Sequence, residues 1–206
     1  MVASLGGLAA VSTVLAGLPA EFSVPLLLVQ HGGRSNDPER LSRLLQKTTM
    51  LPVFTARPGL WTGGPSVAVV PGGFTATLDK AHRFQLTDGK PLGGGDTLLS
   101  SVAVALGPAV IGVILTGRLR DGAEGIRAIK RHGGWVLAQD PATARASGMP
   151  SSAIATGCVD SVLPLSRIAP ALVALTTAPG ATDLFTIPAL PLPGGIGSWP
   201  AGTFEC

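Results

Sequence analysis

Short apolar runs alternate along the chain with segments in which apolar residues recur every three or four positions. The runs have the length of β-strands and the segments have the period of amphipathic helices. This alternation predicts a three-layer α/β fold, a doubly wound and mostly parallel sheet with helices on both faces. The predicted strands are Val24–Val29, Val67–Val70, Ala109–Leu115 and Trp135–Ala138, and the predicted helices are Leu8–Leu18, Pro38–Gln46, Asp96–Leu106 and Gly122–Arg131.

Two further segments interrupt the alternation. Phe74–Leu78 and Arg83–Leu86 are separated by four residues that include Asp79 and Lys80, which predicts a β-hairpin inserted into the α/β fold. After Leu175 the chain becomes rich in Pro, Gly, Ala and Thr and loses its periodicity. We therefore expect a domain over residues 1–176 and a Pro/Gly-rich tail over residues 177–206.

Composition narrows the class of protein. The chain of 206 residues is 46% hydrophobic and only 13% charged, which excludes a disordered chain and favours a single compact domain. The net charge of +3 comes without a dense run of Lys or Arg, so a nucleic-acid partner is not expected. The Gly-rich turns contain neither a GxGxxG after a strand nor a GxxxxGK[ST] motif, which argues against a nucleotide-binding domain.

The uncharged stretch from Met1 to Ala20 lacks the basic start of a signal peptide, and glycines and Pro19 interrupt it. We expect neither secretion nor membrane insertion. Cys158 and Cys206 give neither a disulfide framework nor a CxxC zinc site, and we interpret both as reduced thiols of a cytoplasmic protein. Three scattered histidines add no metal-ligand spacing, so no cofactor and no metal are expected.

Three polar residues follow predicted apolar elements where a parallel sheet places its ligands, beyond the carboxyl ends of the strands. They are Ser4, His31 and Asp121. Each also has a simpler explanation: Ser4 as a helix cap, His31 as a structural histidine at a strand end, and Asp121 as an N-cap. Together, a serine, a histidine and an aspartate at one sheet edge are a candidate catalytic triad.

The order of the motifs along the chain resembles the catalytic domain of the chemotaxis protein-glutamate methylesterase family (CheB type), over about residues 2 to 175. Ala3-Ser4-Leu5-Gly6-Gly7 resembles the nucleophile turn, and Val29-Gln30-His31 resembles the segment of the base. The remaining matches are Pro71-Gly72-Gly73, Gly112 to Gly117 with Asp121-Gly122-Ala123, Ala138-Gln139-Asp140, Gly148-Met149-Pro150 and Ala153-Ile154. Each tripeptide alone is unspecific, but the ordered set is specific.

The resemblance implies a carboxylic ester hydrolase with Ser4 as nucleophile, His31 as general base and Asp121 as the orienting acid. Its substrates would be glutamate methyl esters on the cytoplasmic helical bundle of methyl-accepting chemotaxis receptors, and deamidation of receptor glutamines is the second activity implied. Arg34, Arg118 and Arg120 would guide an acidic helix face into the cleft; the alternative is that they are solvated loop arginines.

Several features depart from the family pattern. The chain resembles a divergent catalytic domain lacking the receiver domain, and three residues before Ser4 leave the central strand missing or reduced to a stub at a fraying terminus. Leu5, Arg118 and Leu119 replace the residues usual at those positions. The departures support an alternative interpretation, a catalytically impaired binding module of a chemosensory system.

Overall fold

The structure is a computed structural model that describes residues 1–32, 36–60, 63–89 and 93–177. The predicted tail therefore lies, apart from Thr177, outside the described residues. The strands in these ranges are β1 (Val2–Ala3), β2 (Leu26–Gln30), β3 (Val53–Thr55), β4 (Val67–Val69), β5 (Phe74–Leu78), β6 (Phe84–Asp88), β7 (Ile111–Ile114), β8 (Trp135–Gln139) and β9 (Ser161–Leu163). The α-helices in the same ranges are α1 (Gly7–Ala16), α2 (Arg40–Gln46), α3 (Gly94–Leu106), α4 (Ala123–Arg131), α5 (Gly148–Ile154) and α6 (Leu165–Thr177).

Seven strands form one sheet in the order β3-β4-β2-β1-β7-β8-β9, and every neighbouring pair in it is parallel. The chain extends the sheet from β1 toward β3 first and later from β1 toward β9. The helix after β1 and the helix after β7 pack on opposite faces, since α1 and α4 contribute to different apolar cores. The predicted doubly wound α/β fold is confirmed, and β1 and β7 flank the point where the winding reverses, which is where such sheets bind ligands.

The sheet separates two apolar cores. One face is covered by α1, α2 and α6 through residues such as Val14, Leu45 and Leu172. The other face is covered by α3, α4 and α5 through residues such as Leu98 and Ile129. Because both faces are buried, the strands read as continuous apolar runs rather than as alternating patterns.

The central strand is the two-residue stub that the sequence predicts. Val2 pairs with Val29 of β2 and with Ile114 of β7, so β1 lies between the two halves of the sheet. Met1 extends the ladder, because its nitrogen donates to the Leu27 carbonyl at 2.7 Å and its carbonyl accepts from the Val29 amide at 3.0 Å. Met1, Val2 and Ala3 are buried, so the expectation of a fraying terminus at Ser4 is wrong.

The predicted hairpin is present as the antiparallel pair β5 and β6, with Phe74 opposite Asp88 and Leu78 opposite Phe84. It packs against α3, where the Ser101 hydroxyl accepts a hydrogen bond from the Leu78 amide at 3.1 Å. Phe84 is fully buried in the same core as α3. The hairpin thus supports the helix whose first turn contributes to the site described below.

The expectation of reduced thiols is wrong for Cys158, which is buried and disulfide-bonded. Cys206 lies outside the described residues. Among the residues that the structure describes, no helix has the length and apolar character needed to cross a bilayer.

Candidate active site

Ser4 occupies the first position beyond the carboxyl end of β1. Its amide donates to the Thr116 carbonyl at 2.9 Å, which continues the ladder between β1 and β7. The chain then turns sharply through Gly6, whose φ of 81° lies in the left-handed region that glycine adopts without strain. Helix α1 begins at Gly7 with Gly6 at its N-cap position. The explanation of Ser4 as a helix cap is therefore wrong.

His31 occupies the same position on the neighbouring strand. Ala3 of β1 is in register with Gln30 of β2, and the His31 amide donates to the Ala3 carbonyl at 2.8 Å. Ser4 and His31 therefore leave adjacent parallel strands side by side. The His31 side chain is largely buried, with 14% of its surface exposed.

Asp121 reaches this edge from the loop between β7 and α4. Its Oδ2 atom contacts Nε2 of His31 and accepts the Gly95 amide at 2.8 Å, and its Oδ1 atom accepts the Asp96 amide at 3.0 Å. The N-cap position of α4 belongs to Gly122 rather than to Asp121. The carboxylate thus binds the first turn of α3 on one side and the imidazole on the other, and the N-terminus of a helix favours a negative charge.

The ionisation of Asp121 follows from these contacts. Burial alone would raise its pKa, but the contact with His31 and the amides of Asp96 and Gly95 outweigh burial and lower the pKa to about 2. Asp96 shows the opposite shift, because burial and the neighbouring charge of Asp121 raise its pKa against the opposing effect of the Gly125 amide. Asp121 is consequently an anion at neutral pH, in contact with His31.

A close contact joins the loop of Asp121 to the turn that begins at Ser4. A Cβ atom on Gly117 would lie 2.8 Å from Cβ of Ser4 and 2.0 Å from Sδ of Met149. Glycine at position 117 is what allows the loop after β7 to pass directly over Ser4. The structure therefore brings the three predicted residues to one edge of the sheet, with His31 and Asp121 in contact and Ser4 beside them.

Two polar residues that the sequence pattern did not single out bind the turn from Ser4 to Gly7. Thr116 is buried, and its hydroxyl donates to the Leu5 carbonyl at 2.9 Å. On the other side, the Gln30 amide nitrogen donates to the Ser4 carbonyl at 2.8 Å. In the sequence, each of these two residues is a polar residue at the end of a buried apolar run. A polar residue in that place is usually interpreted as part of a solvated turn.

The surface around the turn is basic and apolar. Arg118, Leu119 and Arg120 are exposed on the loop before Asp121, with Leu119 66% exposed. Arg145, a further residue missed in the sequence, packs its side chain against Gly6, where an added Cβ would lie 2.7 Å from Cβ of Arg145. Arg34, predicted to act with Arg118 and Arg120, lies outside the described residues. Within the described ranges, no group of three His, Cys, Asp or Glu side chains is placed to hold a metal ion.

A family model described as CheB methylesterase matches residues 1–172. The chain belongs to the CheB methylesterase family. The resemblance predicted from the motifs is thereby confirmed. Among solved structures, the crystal structure of the Thermotoga maritima CheB methylesterase catalytic domain aligns with a TM-score of 0.80 at 31% identity, covering 85% of this chain and 96% of that one.

Curated relatives carry related names. The protein-glutamate methylesterase FrzG of Myxococcus xanthus is 39% identical over 174 residues, which are 82% of this chain and 52% of that protein. A protein-glutamate methylesterase/protein-glutamine glutaminase of Anaeromyxobacter dehalogenans is 41% identical over 81% of this chain and 50% of its own. A putative protein of the same name from Leptospira interrogans is 35% identical over 81% of this chain and 88% of its own. This CheB-family chain spans about half the length of the first two relatives.

Proposed function

We propose that residues 1–176 form a protein-glutamate methylesterase domain that hydrolyses glutamate methyl esters on chemotaxis receptors through Ser4, His31 and Asp121. The observation that carries the proposal is the contact of His31 with Asp121 directly beside Ser4, at the edge where the winding of the sheet reverses. The names of the relatives, methylesterase and glutaminase, support the substrate class.

In the first half of the reaction, Ser4 Oγ attacks the ester carbonyl while His31 takes the hydroxyl proton. Nε2 of His31 contacts Asp121, so Nδ1 is the ring nitrogen that receives the proton. The imidazolium then returns this proton to the methoxy oxygen as the carbon–oxygen bond breaks. Methanol leaves, and the glutamyl group remains as an ester on Ser4.

In the second half, His31 removes a proton from water, and the resulting hydroxide attacks the acyl carbon. Collapse of the intermediate returns the proton to Ser4 Oγ and releases the glutamic acid side chain, which gives its proton to solvent and becomes a carboxylate. An amide substrate would follow the same route with ammonia as the leaving group, which makes receptor glutamine deamidation the second proposed activity.

Backbone amides would stabilise the oxyanion that forms in both halves. The His31 amide is excluded from this role because it donates to the Ala3 carbonyl within the sheet. The amides of Gly6, in the nucleophile turn, and of Arg118, in the loop that passes over Ser4, are the candidates.

The surface around Ser4 suits a helical receptor segment. Arg118, Arg120 and Arg145 are exposed and would attract acidic side chains, and Leu5 and Leu119 offer apolar contacts beside a methyl ester, which carries no charge. The receptor region concerned is the cytoplasmic helical bundle, so we place the activity in the cytoplasm. No cofactor takes part in the proposed mechanism.

The test measures methanol release from membranes that contain methylated receptors. We expect release by the wild type and its loss in Ser4→Ala, with circular dichroism confirming equal folding. Ser23→Ala is the matched control, because Ser23 is exposed and precedes β2 at the opposite edge of the sheet. Background release from a folded wild type, together with co-sedimentation of the protein with those membranes, would replace the esterase by the binding module.

A further inference from the structure

The side chain of Gln30 connects the two residues proposed as nucleophile and base. Its Nε2 atom donates to the backbone carbonyl of Ser4 at 2.8 Å and to the backbone carbonyl of His31 at 3.2 Å. These carbonyls belong to different strands, since Ser4 follows β1 and His31 follows β2. A single amide group therefore spans the gap between the two strand ends.

We infer that Gln30 is a positioning residue that fixes the separation of the nucleophile turn from the histidine; the inference rests on the proposed function of Ser4 and His31. Among the described residues, no hydrogen bond across the sheet replaces this link, because the direct ladder bond at this level runs from the His31 amide to the Ala3 carbonyl. The link matters because nucleophile and base must approach to hydrogen-bond distance for proton transfer.

The orientation of the amide is decided by its partners. Both groups that it meets are carbonyl oxygens, which accept hydrogen bonds, so the NH₂ end of the amide must face them. The buried Oε1 atom has no hydrogen-bond partner among the described residues. Within the described part of the chain, the hydrogen bonds of this side chain are thus directed at the backbones of Ser4 and His31, as expected for a group whose role is to hold them.

The first residue of α1 packs closely against the same side chain. A Cβ atom on Gly7 would lie 2.0 Å from Oε1 and 2.8 Å from Cδ of Gln30. Glycine at position 7 therefore lets the helix start against the amide plane. The helix N-terminus, the nucleophile turn and the base segment meet at Gln30, and a shift of the amide would move Ser4 relative to His31.

The chain contains a closely matched control. Gln46 also uses one amide nitrogen to bind two backbone carbonyls, those of Thr49 at 3.2 Å and Leu51 at 3.1 Å. Its Oε1 atom accepts the amide of Val53, the first residue of β3. Gln46 therefore lies at the amino edge of the sheet, away from Ser4. Replacing either glutamine by methionine removes the same kind of bridge while keeping a side chain of similar length.

The experiment compares wild type, Gln30→Met and Gln46→Met in two assays and in thermal unfolding. The assays are methanol release from methylated receptor membranes and the rate of Ser4 labelling by a fluorophosphonate probe, which needs no receptor. For Gln30→Met we expect kcat and the labelling rate to fall about ten- to a hundredfold, with KM within about twofold of wild type. Gln46→Met should match the wild type within about twofold in both assays. Its Tm should fall as in Gln30→Met, because each variant loses an amide that bridges two backbone carbonyls.

The outcomes separate this inference from the proposed function. Equal labelling rates in the two methionine variants would overturn the positioning role, and so would a rise in KM with an unchanged kcat. Wild-type protein that is labelled at Ser4 but releases no methanol would overturn the receptor substrate, while the labelling rates would still decide the role of Gln30. A wild type that neither releases methanol nor is labelled by the probe would overturn both proposals.

Discussion

Nε2 of His31 and Oδ2 of Asp121 are in contact across the carboxyl edge of the sheet, although the two residues belong to distant parts of the chain. Both side chains are largely buried, with 14% and 10% of their surfaces exposed. The contact exists because β1 places the ends of β2 and β7 on either side of itself. It also makes Asp121 the group whose titration most directly reports on the site.

We expect acid to destabilise the protein through Asp121. Folding lowers the pKa of this carboxyl from its ordinary value of 3.8 to about 2, so the folded state binds the proton more weakly than the unfolded state. The stabilisation is fully present above about pH 4 and is lost as the pH falls toward about 2, a change of about 2 kcal/mol in the free energy of unfolding. Urea unfolding at a series of pH values measures it.

The control for this titration must account for Asp96, whose pKa is raised and whose protonation has the opposite effect on stability. The comparison is therefore Asp96→Asn against the double variant Asp96→Asn/Asp121→Asn. The Asp96→Asn variant keeps the Asp121 carboxyl and the double variant does not. Only Asp96→Asn should therefore lose stability through the protonation of Asp121. Parallel pH profiles for the two proteins would contradict the assignment.

Gly95 is predicted to be intolerant of a side chain. A Cβ atom there would lie 2.5 Å from Cγ1 of Val2 and 2.7 Å from Oδ2 of Asp121. Gly95→Ala should cost about 1–3 kcal/mol of stability through overpacking. It should also lower methanol release, because the carboxylate must move away from His31.

The matched control is Gly94→Ala, one residue earlier in the same helical turn. Among the described residues, its added Cβ would meet only Cγ1 of Val29, at the ordinary contact distance of 3.9 Å. Alanine is favoured over glycine in helices, so this variant should be neutral or more stable by up to about 1 kcal/mol. Denaturant unfolding of both variants checks the prediction, and equal effects would show that the contacts of Gly95 do not matter.

Leu119, on the loop that carries Asp121, has an unfavourable backbone conformation. Its φ of 66° lies in the left-handed region, which costs a residue with a Cβ atom roughly 1–2 kcal/mol. Because its side chain is 66% exposed, little packing is lost on its removal. Leu119→Gly should therefore raise the free energy of unfolding by up to about 1 kcal/mol.

Leu44→Gly provides the comparison, since Leu44 is also partly exposed, at 38%, but lies within α2. That variant should lose about 1 kcal/mol, because glycine is unfavourable within a helix. Opposite signs for the two substitutions in thermal unfolding are the expected result. A loss of stability in Leu119→Gly would mean that the leucine side chain contributes more by packing than its backbone costs.

The pattern of apolar runs was sufficient for the fold class, because strands buried on both faces and helices buried on one face leave different periods in the sequence. The strand Trp135–Gln139 and the helix Ala123–Arg131 were predicted to within a residue. Short elements were harder: β3 (Val53–Thr55), α5 (Gly148–Ile154) and β9 (Ser161–Leu163) were not predicted, since few residues leave no measurable period. The longer α6 (Leu165–Thr177), which contains Pro170, was not predicted either. The motifs also sufficed for the family, which the match over residues 1–172 confirms.

The sequence by itself placed Ser4 and His31 directly after apolar residues and Asp121 in the loop that leaves an apolar run, and it therefore predicted all three at one edge of a parallel sheet. Only the tertiary structure decided how they meet. Strand order, set by the packing of helices on both faces, puts β1 between β2 and β7. The close approaches at Gly95 and Gly117 and the amide of Gln30 then set the distances within the site. Such contacts join residues far apart in the chain, and no local pattern records them.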